Sequence, residues 1–185
     1  MIRILFTLIL CSFLLAPNMI AQKYFTKGGH ISFYSDTPLE KIEAHSKSAV
    51  AVLDTDSGQM EFSVLIKSFH FEKALMEEHF NENYMETPKY PKSTFKGKIQ
   101  DLIRVNFDKK GTYPVKVVGE LTMHGVSNKV TTDGKIIIND KGIECHSEFN
   151  VAVADYKISI PAVVKDSIAK TVKITVKADL SPLKK

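Results

Sequence analysis

Between Gly29 and Leu180 the chain reads as segments in which apolar and polar residues alternate, the signature of half-buried β-strands. "HISFYSD" alternates around Ile31 and Phe33. "KIEAHSKSAVAVLD" carries Ile42 and Ala44, then an apolar patch up to Leu53. "DTDSG" at 54–58 has the composition of a turn. "QMEFSVLIKSF" follows with Met60, Phe62, Val64 and Ile66 on one face, which predicts a hairpin. Farther on, "STFKGKIQDLI" sets Phe95, Gly97 and Ile99 against Lys96 and Lys98. After a turn at "DKKG", "YPVKVVGELTMHG" sets Val115, Val117, Leu121 and Met123 against Lys116, Glu120 and His124. "NKVTTDGKIIIND" and "GIECHSEFNVAVADY" are joined by "NDKG", and the second carries Ile143, Cys145, Phe149 and Val151 on one parity. "KTVKITVKADL" is the cleanest case, alternating Val172, Ile174, Val176, Ala178 and Leu180 with polar residues.

The pattern predicts an all-β fold of about eight strands joined mostly by tight turns, an antiparallel meander. Such a sheet must cover its apolar face and protect its edges, and closure into a barrel does both. Eight strands enclose an interior that side chains fill, or that holds one elongated ligand. Alternation leaves both readings open. Phe33, Phe62, Val64, Phe95, Leu121, Met123, Phe149, Val151 and Ile174 are the candidate lining residues in either case.

Two segments break the alternation. From Phe71 to about Asn83, Leu75, Met76, His79, Phe80 and Asn83 share one helical side, and Glu77, Glu78 and Glu82 lie away from it. "PAVVKDSIA" at 161–169 follows Pro161, which suits the start of a short helix. Both segments are long enough to be crossovers or lids, so one or two short helices are expected at the barrel ends. In "EEHFNENYMETPKYP" the reading places Phe80 and Tyr84 at the barrel mouth and the glutamates in water. Pro88 and Pro91 hold the return path extended.

Composition adds little chemistry. Hydrophobic residues are 44% of the 185 and charged residues 25%, which is globular rather than disordered. The net charge of +4 is scattered, with no basic run interleaved with aromatics, so nucleic acid is set aside. The balance is compatible with loose, transient attraction to an anionic membrane surface. His79 and Glu82 are three apart on the predicted helix beside Glu78, spacing that can share a cation, but a transition metal needs further ligands from elsewhere. The remaining histidines stand on separate strands, and no serine lies in a nucleophile elbow. Asp155 and Asp166 flank the second interruption, and surface carboxylates are the default reading for them. The expectation is a binding protein that is not an enzyme and uses no cofactor or metal. The alternative is a metal-dependent enzyme or stress protein centred on the acidic helix around His79.

The first 21 residues differ in kind. Arg3 precedes an apolar run from Ile4 to Leu15, Pro17 and Asn18 break it, and Ala21 offers a small residue for cleavage. This is the layout of a secretory signal, and the run is short for a membrane span. Bulky Leu10 before Cys11 disfavours lipidation there. The domain is then 22–185, with Cys145 as its single cysteine, read as a buried small hydrophobe rather than a reactive thiol.

Three stretches resemble the YceI-like family in the family's order. They are "SFHFEKALMEEHFNENYMETPKYPKSTFKGKI", "GELTMHGVSNKV" with Leu121, Thr122, His124, Gly125 and Val126, and "FNVAVADYKISIPAVVKDSIAKTVKITVKADL". The resemblance implies a lipocalin-like barrel of eight antiparallel strands and a periplasmic location. It also implies a tunnel that holds an isoprenoid or other long-chain lipid as the partner. It transfers no catalytic set. The chain departs from the family's common pattern at "KYFTKGGHISFYS", which lacks tryptophan, and at "MEEHFNENY", where many members carry an Arg-Asp-x-His-Leu-like stretch.

Overall fold

The computed structural model describes residues 23–183, and the expected secretory signal lies outside them. The alternating segments form β1 (Lys23–Asp36), β2 (Lys41–Asp54), β3 (Gln59–Leu65), β5 (Lys92–Ile99), β6 (Gly111–Met123), β7 (Val126–Asn139), β8 (Gly142–Ala152) and β9 (Thr171–Pro182). Each pairs antiparallel with its neighbours in the order β1-β9-β8-β7-β6-β5-β3-β2, and β2 returns to β1. The wall is therefore the expected closed eight-stranded barrel. A ninth strand, β4 (His70–Phe71), was not foreseen. It resumes the path of β3 along β2 after a 3₁₀ turn at Ile66–Ser68, pairing His45 with His70. The Ser46 and Ser68 hydroxyls, 2.7 Å apart, bridge that break.

The β1–β2 ladder is not regular. An extra residue enters β1 between Thr26 and Gly29, and another enters β2 opposite Gly29–Ile31. Each bulge shifts the inward parity and sharpens the local twist. On β2 the buried set runs Ala44 and Ser46, then Ala49, Ala51 and Leu53. Gly29 allows a close crossing, because a Cβ there would come 3.0 Å from the Ala49 carbonyl.

The two barrel ends are built differently. At one end Ala51, Leu53, Met60, Ile99, Val105, Ile136, Ile138, Ile143 and Leu180 pack as a filled core. The β5–β6 connection covers it with Leu102 and Phe107. At the other end lie the two long connections. The first holds α1 (Ala74–His79), which runs on into a π turn at Phe80–Tyr84. The second, between β8 and β9, has 3₁₀ turns at Val153–Tyr156 and Ala162–Val164. No helix among the described residues is long and apolar enough to cross a membrane.

A six-residue helix has little stability of its own, and no side chain caps the start of α1. Side chains of the crossover hold it instead. Glu77 accepts the Phe71 amide at 3.2 Å. Asn81 donates to the Glu77 carbonyl at 2.8 Å. Buried Thr87 donates to the Asn81 carbonyl from both its amide (2.8 Å) and its hydroxyl (2.6 Å). Glu77 is thus half-buried and bonded, unlike the water-facing glutamate expected, whereas Glu78 and Glu82 are exposed. The Ile66 amide donates to the Pro91 carbonyl at 3.0 Å and closes the base of the loop.

The filled end carries the stability that the open end lacks. Leu53 is 0% exposed. Leu53→Ala should lower the unfolding free energy by about 2–5 kcal/mol, read from urea titration. A loss below about 1 kcal/mol would show that this end is loosely packed.

Candidate functional site: the barrel cavity

Above the filled core the inward side chains stop short of one another and leave a cavity of about 550 Å³. That falls within the range of about 300–1,000 Å³ common to small-molecule sites. Met60, Val117, Ile136 and Cys145 form its floor. Phe62, Val64, Phe95, Phe149, Ile174 and Val176 contribute to its walls. Its ceiling comes from the two interruptions of the β pattern: Leu75, Met76, Phe80 and Tyr84 from the crossover, and Ile160, Val164 and Ile168 from the β8–β9 connection.

Of the lining residues expected from sequence, Phe33, Phe62, Val64, Phe80, Tyr84, Phe95, Leu121, Met123, Phe149 and Ile174 all border this cavity. Val151 does not. It points inward, but it packs against Leu121, Tyr156 and Val172 in a side cluster, and Tyr156 shares that cover. Phe80 is the centre of an aromatic group. Its ring lies 5.3 Å from Phe33, 5.9 Å from Phe69 and 5.0 Å from Phe71. Phe69 and Phe71 escaped the sequence reading because the 3₁₀ break before β4 resets the alternation on which it relied.

Space inside the wall is created by a glycine pair. Gly97 on β5 faces Gly119 on β6, and the Phe95 ring lies across both. A Cβ on either would come 2.5 Å from Phe95 Cζ. Glycine in a strand interior commonly marks such a close approach.

His124 has a role that the sequence reading did not assign. It occupies the β6–β7 turn with Gly125, and both have positive φ (51° and 74°), the backbone of a type I′ hairpin. Its Nδ1 lies 3.0 Å from the Tyr156 carbonyl, and its Nε2 lies 3.0 Å from Glu86 Oε2. The Tyr90 ring stands edge-on at 4.6 Å. One side chain thus ties the crossover and the β8–β9 connection to the same hairpin. A His-Gly turn between two β segments was the available signal.

The wall has a seam between β7 and β8. The β7–β8 ladder stops at Gly134 and Ser147. Beyond it, β7 pairs with β6 and β8 pairs with β9. Side chains bridge the gap: Thr132 Oγ1 to Ser147 Oγ at 2.9 Å, Ser147 to the Asp133 carbonyl at 2.8 Å, and Asn128 to the Asp155 carbonyl at 2.8 Å.

The titratable groups give no catalytic constellation. Burial, with a smaller contribution from Asp179, pushes the Cys145 thiol up to about 12, so it stays protonated at the cavity floor. Burial likewise raises the Tyr84 phenol. His79 sits at the cavity rim, with Glu78 and Glu82 exposed beside it. No group of three or more His, Cys, Asp or Glu side chains among the described residues converges as metal ligands would. Asp155 and Asp166 are exposed.

The other histidines are not all isolated, as the sequence reading had them. The His30 and His45 rings stack at 5.3 Å, with His30 Nε2 3.2 Å from His45 Nδ1. The two residues lie on β1 and β2, consecutive strands of one hairpin, and the bulged register of that hairpin brings the rings together.

A closed antiparallel barrel, filled at one end and hollow under a helical ceiling at the other, defines a lipocalin-like protein. The chain belongs to the YceI-like family, whose domain matches residues 26–180. Three solved structures share the fold. A polyisoprenoid binding domain from Saccharophagus degradans, implicated in plant cell wall breakdown, superimposes with a TM-score of 0.75 at 14% identity, over 88% of this chain and 99% of that one. Burkholderia cenocepacia BcnA gives 0.67 at 18%, over 82% and 94%. The Campylobacter jejuni YCEI protein gives 0.56 at 21%, over 75% and 81%. At these identities the likeness is one of fold. No curated protein sequence matches.

Two measurements check this geometry. In Gly119→Ala the new Cβ would run into the Lys96 carbonyl and come 2.5 Å from the Phe95 ring, so the change should push β5 and that ring aside, cost at least about 1–3 kcal/mol, and reduce the uptake of a fluorescent fatty acid. Full stability with full uptake would contradict the glycine-pair account. The second concerns His30. Burial, then repulsion from His45, Lys47 and Lys177, lowers its proton affinity from the ordinary 6.5, with Glu43 opposing. The folded protein therefore binds this proton less tightly than the unfolded chain, and stability present above pH 6.5 is lost on acidification below it. His30→Asn should flatten that acid-side slope, and an unchanged slope would exclude His30 as its source.

Proposed function

We propose that this protein binds a polyisoprenoid or other long-chain lipid inside the barrel and carries or stores it in the periplasm, without catalysing a reaction. The observation that carries the reading is the hollow, apolar upper half of the barrel beneath a ceiling of phenylalanines and aliphatic side chains. Each methylene moved from water into such a space contributes about 0.8 kcal/mol, so a chain-like ligand gains affinity with few polar contacts. Membership of the YceI-like family and the likeness to a polyisoprenoid binding domain support the same ligand class. The secretory layout of residues 1–21 supports the location. The exposed rim residues and the mild positive balance suit brief contact with an anionic membrane surface during loading.

Native mass spectrometry of the purified protein, with extraction of any bound lipid, tests the reading directly. A protein that carries no lipid and takes up no long-chain lipid from vesicles would overturn it. Ile174→Trp sharpens the test. Ile174 pairs with Phe33 and Phe149 and is only half-covered because it faces the cavity. The larger ring should occupy ligand space and cut lipid uptake about tenfold, while the lipid-free melting temperature stays unchanged. A fall in melting temperature with normal uptake would place the ligand elsewhere. Lipid-free protein is the required reference, since bound lipid raises apparent stability by mass action.

A further inference from the structure

Among the described residues, the wall of the cavity holds one buried hydroxyl with no hydrogen-bond partner. Ser93 is the second residue of β5, at the end of the barrel where the crossover returns. It faces inward, opposite Val64 on β3 and one inward step from Phe95. It is 8% exposed, and its Oγ is buried with no hydrogen-bond partner. Several other polar side chains at the cavity are engaged. Ser35 accepts the Ala169 amide at 2.9 Å. Thr132 and Ser147 bond each other across the seam. Lys73 and Glu40 pair at the rim at 3.4 Å. The second buried unpartnered atom, His146 Nε2, also belongs to a residue bordering the cavity, lower on β8 and between Lys135 and Lys177 in register.

A buried hydroxyl left unpaired opposes folding, and native structures satisfy such groups with protein, ordered water or ligand. Ordered water needs two to four polar partners, and the inward neighbours Val64 and Phe95 offer apolar side chains. We propose, on the reading that the cavity holds a lipid, that the lipid carries an oxygen near its upper end, and that Ser93 is the residue that recognises it. A serine hydroxyl both donates and accepts, so the ligand oxygen is an alcohol, carbonyl or ether. The position also sets direction. The oxygen sits at the crossover end, beneath Tyr84 and Phe80. The hydrocarbon runs down toward Met60, Val117, Ile136 and Cys145. Ser93 is thus a specificity residue, separating an oxygenated isoprenoid from a bare hydrocarbon.

The test compares geranylgeraniol with the hydrocarbon of the same skeleton lacking the hydroxyl, each displacing a fluorescent fatty acid from lipid-free protein. The unmodified protein should prefer the alcohol by about two- to tenfold, the range of a single hydrogen bond. Ser93→Ala should abolish the preference, leave hydrocarbon binding intact, and melt at or above the unmodified protein when lipid-free. Ser93→Thr, which keeps the hydroxyl, should retain the preference. A merely structural serine would give a different result: Ser93→Ala would melt earlier and weaken both ligands alike, which overturns the assignment. Equal binding of both probes by the unmodified protein also overturns it and leaves lipid binding standing. Binding of neither probe removes the lipid reading and this inference together.

Discussion

The first strand, β1, pairs with its hairpin partner β2 on one side and with the last strand, β9, on the other, and the geometry of the interior follows from the closure this completes. Once the wall is closed, inward side chains share a volume set by strand number and tilt rather than by their own size. Here β2 contributes Ala44, Ala49 and Ala51, which are too small to reach the far wall. Bulges in β1 and β2 sharpen the bend of the wall at this hairpin. The polar consequence appears outside the barrel, where the β1–β2 ladder stacks His30 on His45.

Closure leaves two ends to be covered, and the protein treats them oppositely. One end uses the β5–β6 connection to bury Leu102 and Phe107 on a dense aliphatic core. The other uses long connections that have little secondary structure of their own and depend on specific bonds. The Asn81–Thr87 contacts shape the crossover from within, and His124 fastens it to the β8–β9 connection from outside. Gly125 permits this, because a Cβ there would come 2.5 Å from the Tyr90 ring. Stability is concentrated at one end and ligand space at the other. Neither the glycine pair under Phe95 nor the open floor at Cys145 then endangers the fold.

Much of this was legible in the period-two pattern. A residue that keeps strict alternation in a regular ladder, such as Leu121, Phe149 or Ile174, has its inward direction determined by the pleat. Parity gives direction but not depth, which is why Val151 faces inward and still lies beside the cavity rather than on it. Phe69 and Phe71 were illegible because a 3₁₀ turn separates them from the strand whose alternation would have assigned them. The switch of inward parity at Lys47–Ser48 was illegible for a related reason: a bulge depends on both strands, and one sequence segment shows only its own half. Ser93 looks like an ordinary surface position in "PKSTF", and its burial emerges only when β3 and the crossover close over it. The His30–His45 pair depends on the bulged register of the β1–β2 hairpin, which alternation along either strand alone does not show.

The seam between β7 and β8 gives the wall a direction of weakness. Along much of the wall main-chain ladders hold neighbouring strands together. Beyond Gly134 and Ser147 a few hydroxyl and amide side-chain contacts take that place. The stretch lies beside Phe149 and Val130 at the cavity's flank. The enclosure there rests on the chemistry of Thr132, Ser147 and Asn128 rather than on backbone pairing, so substitutions at these three positions act on the wall itself.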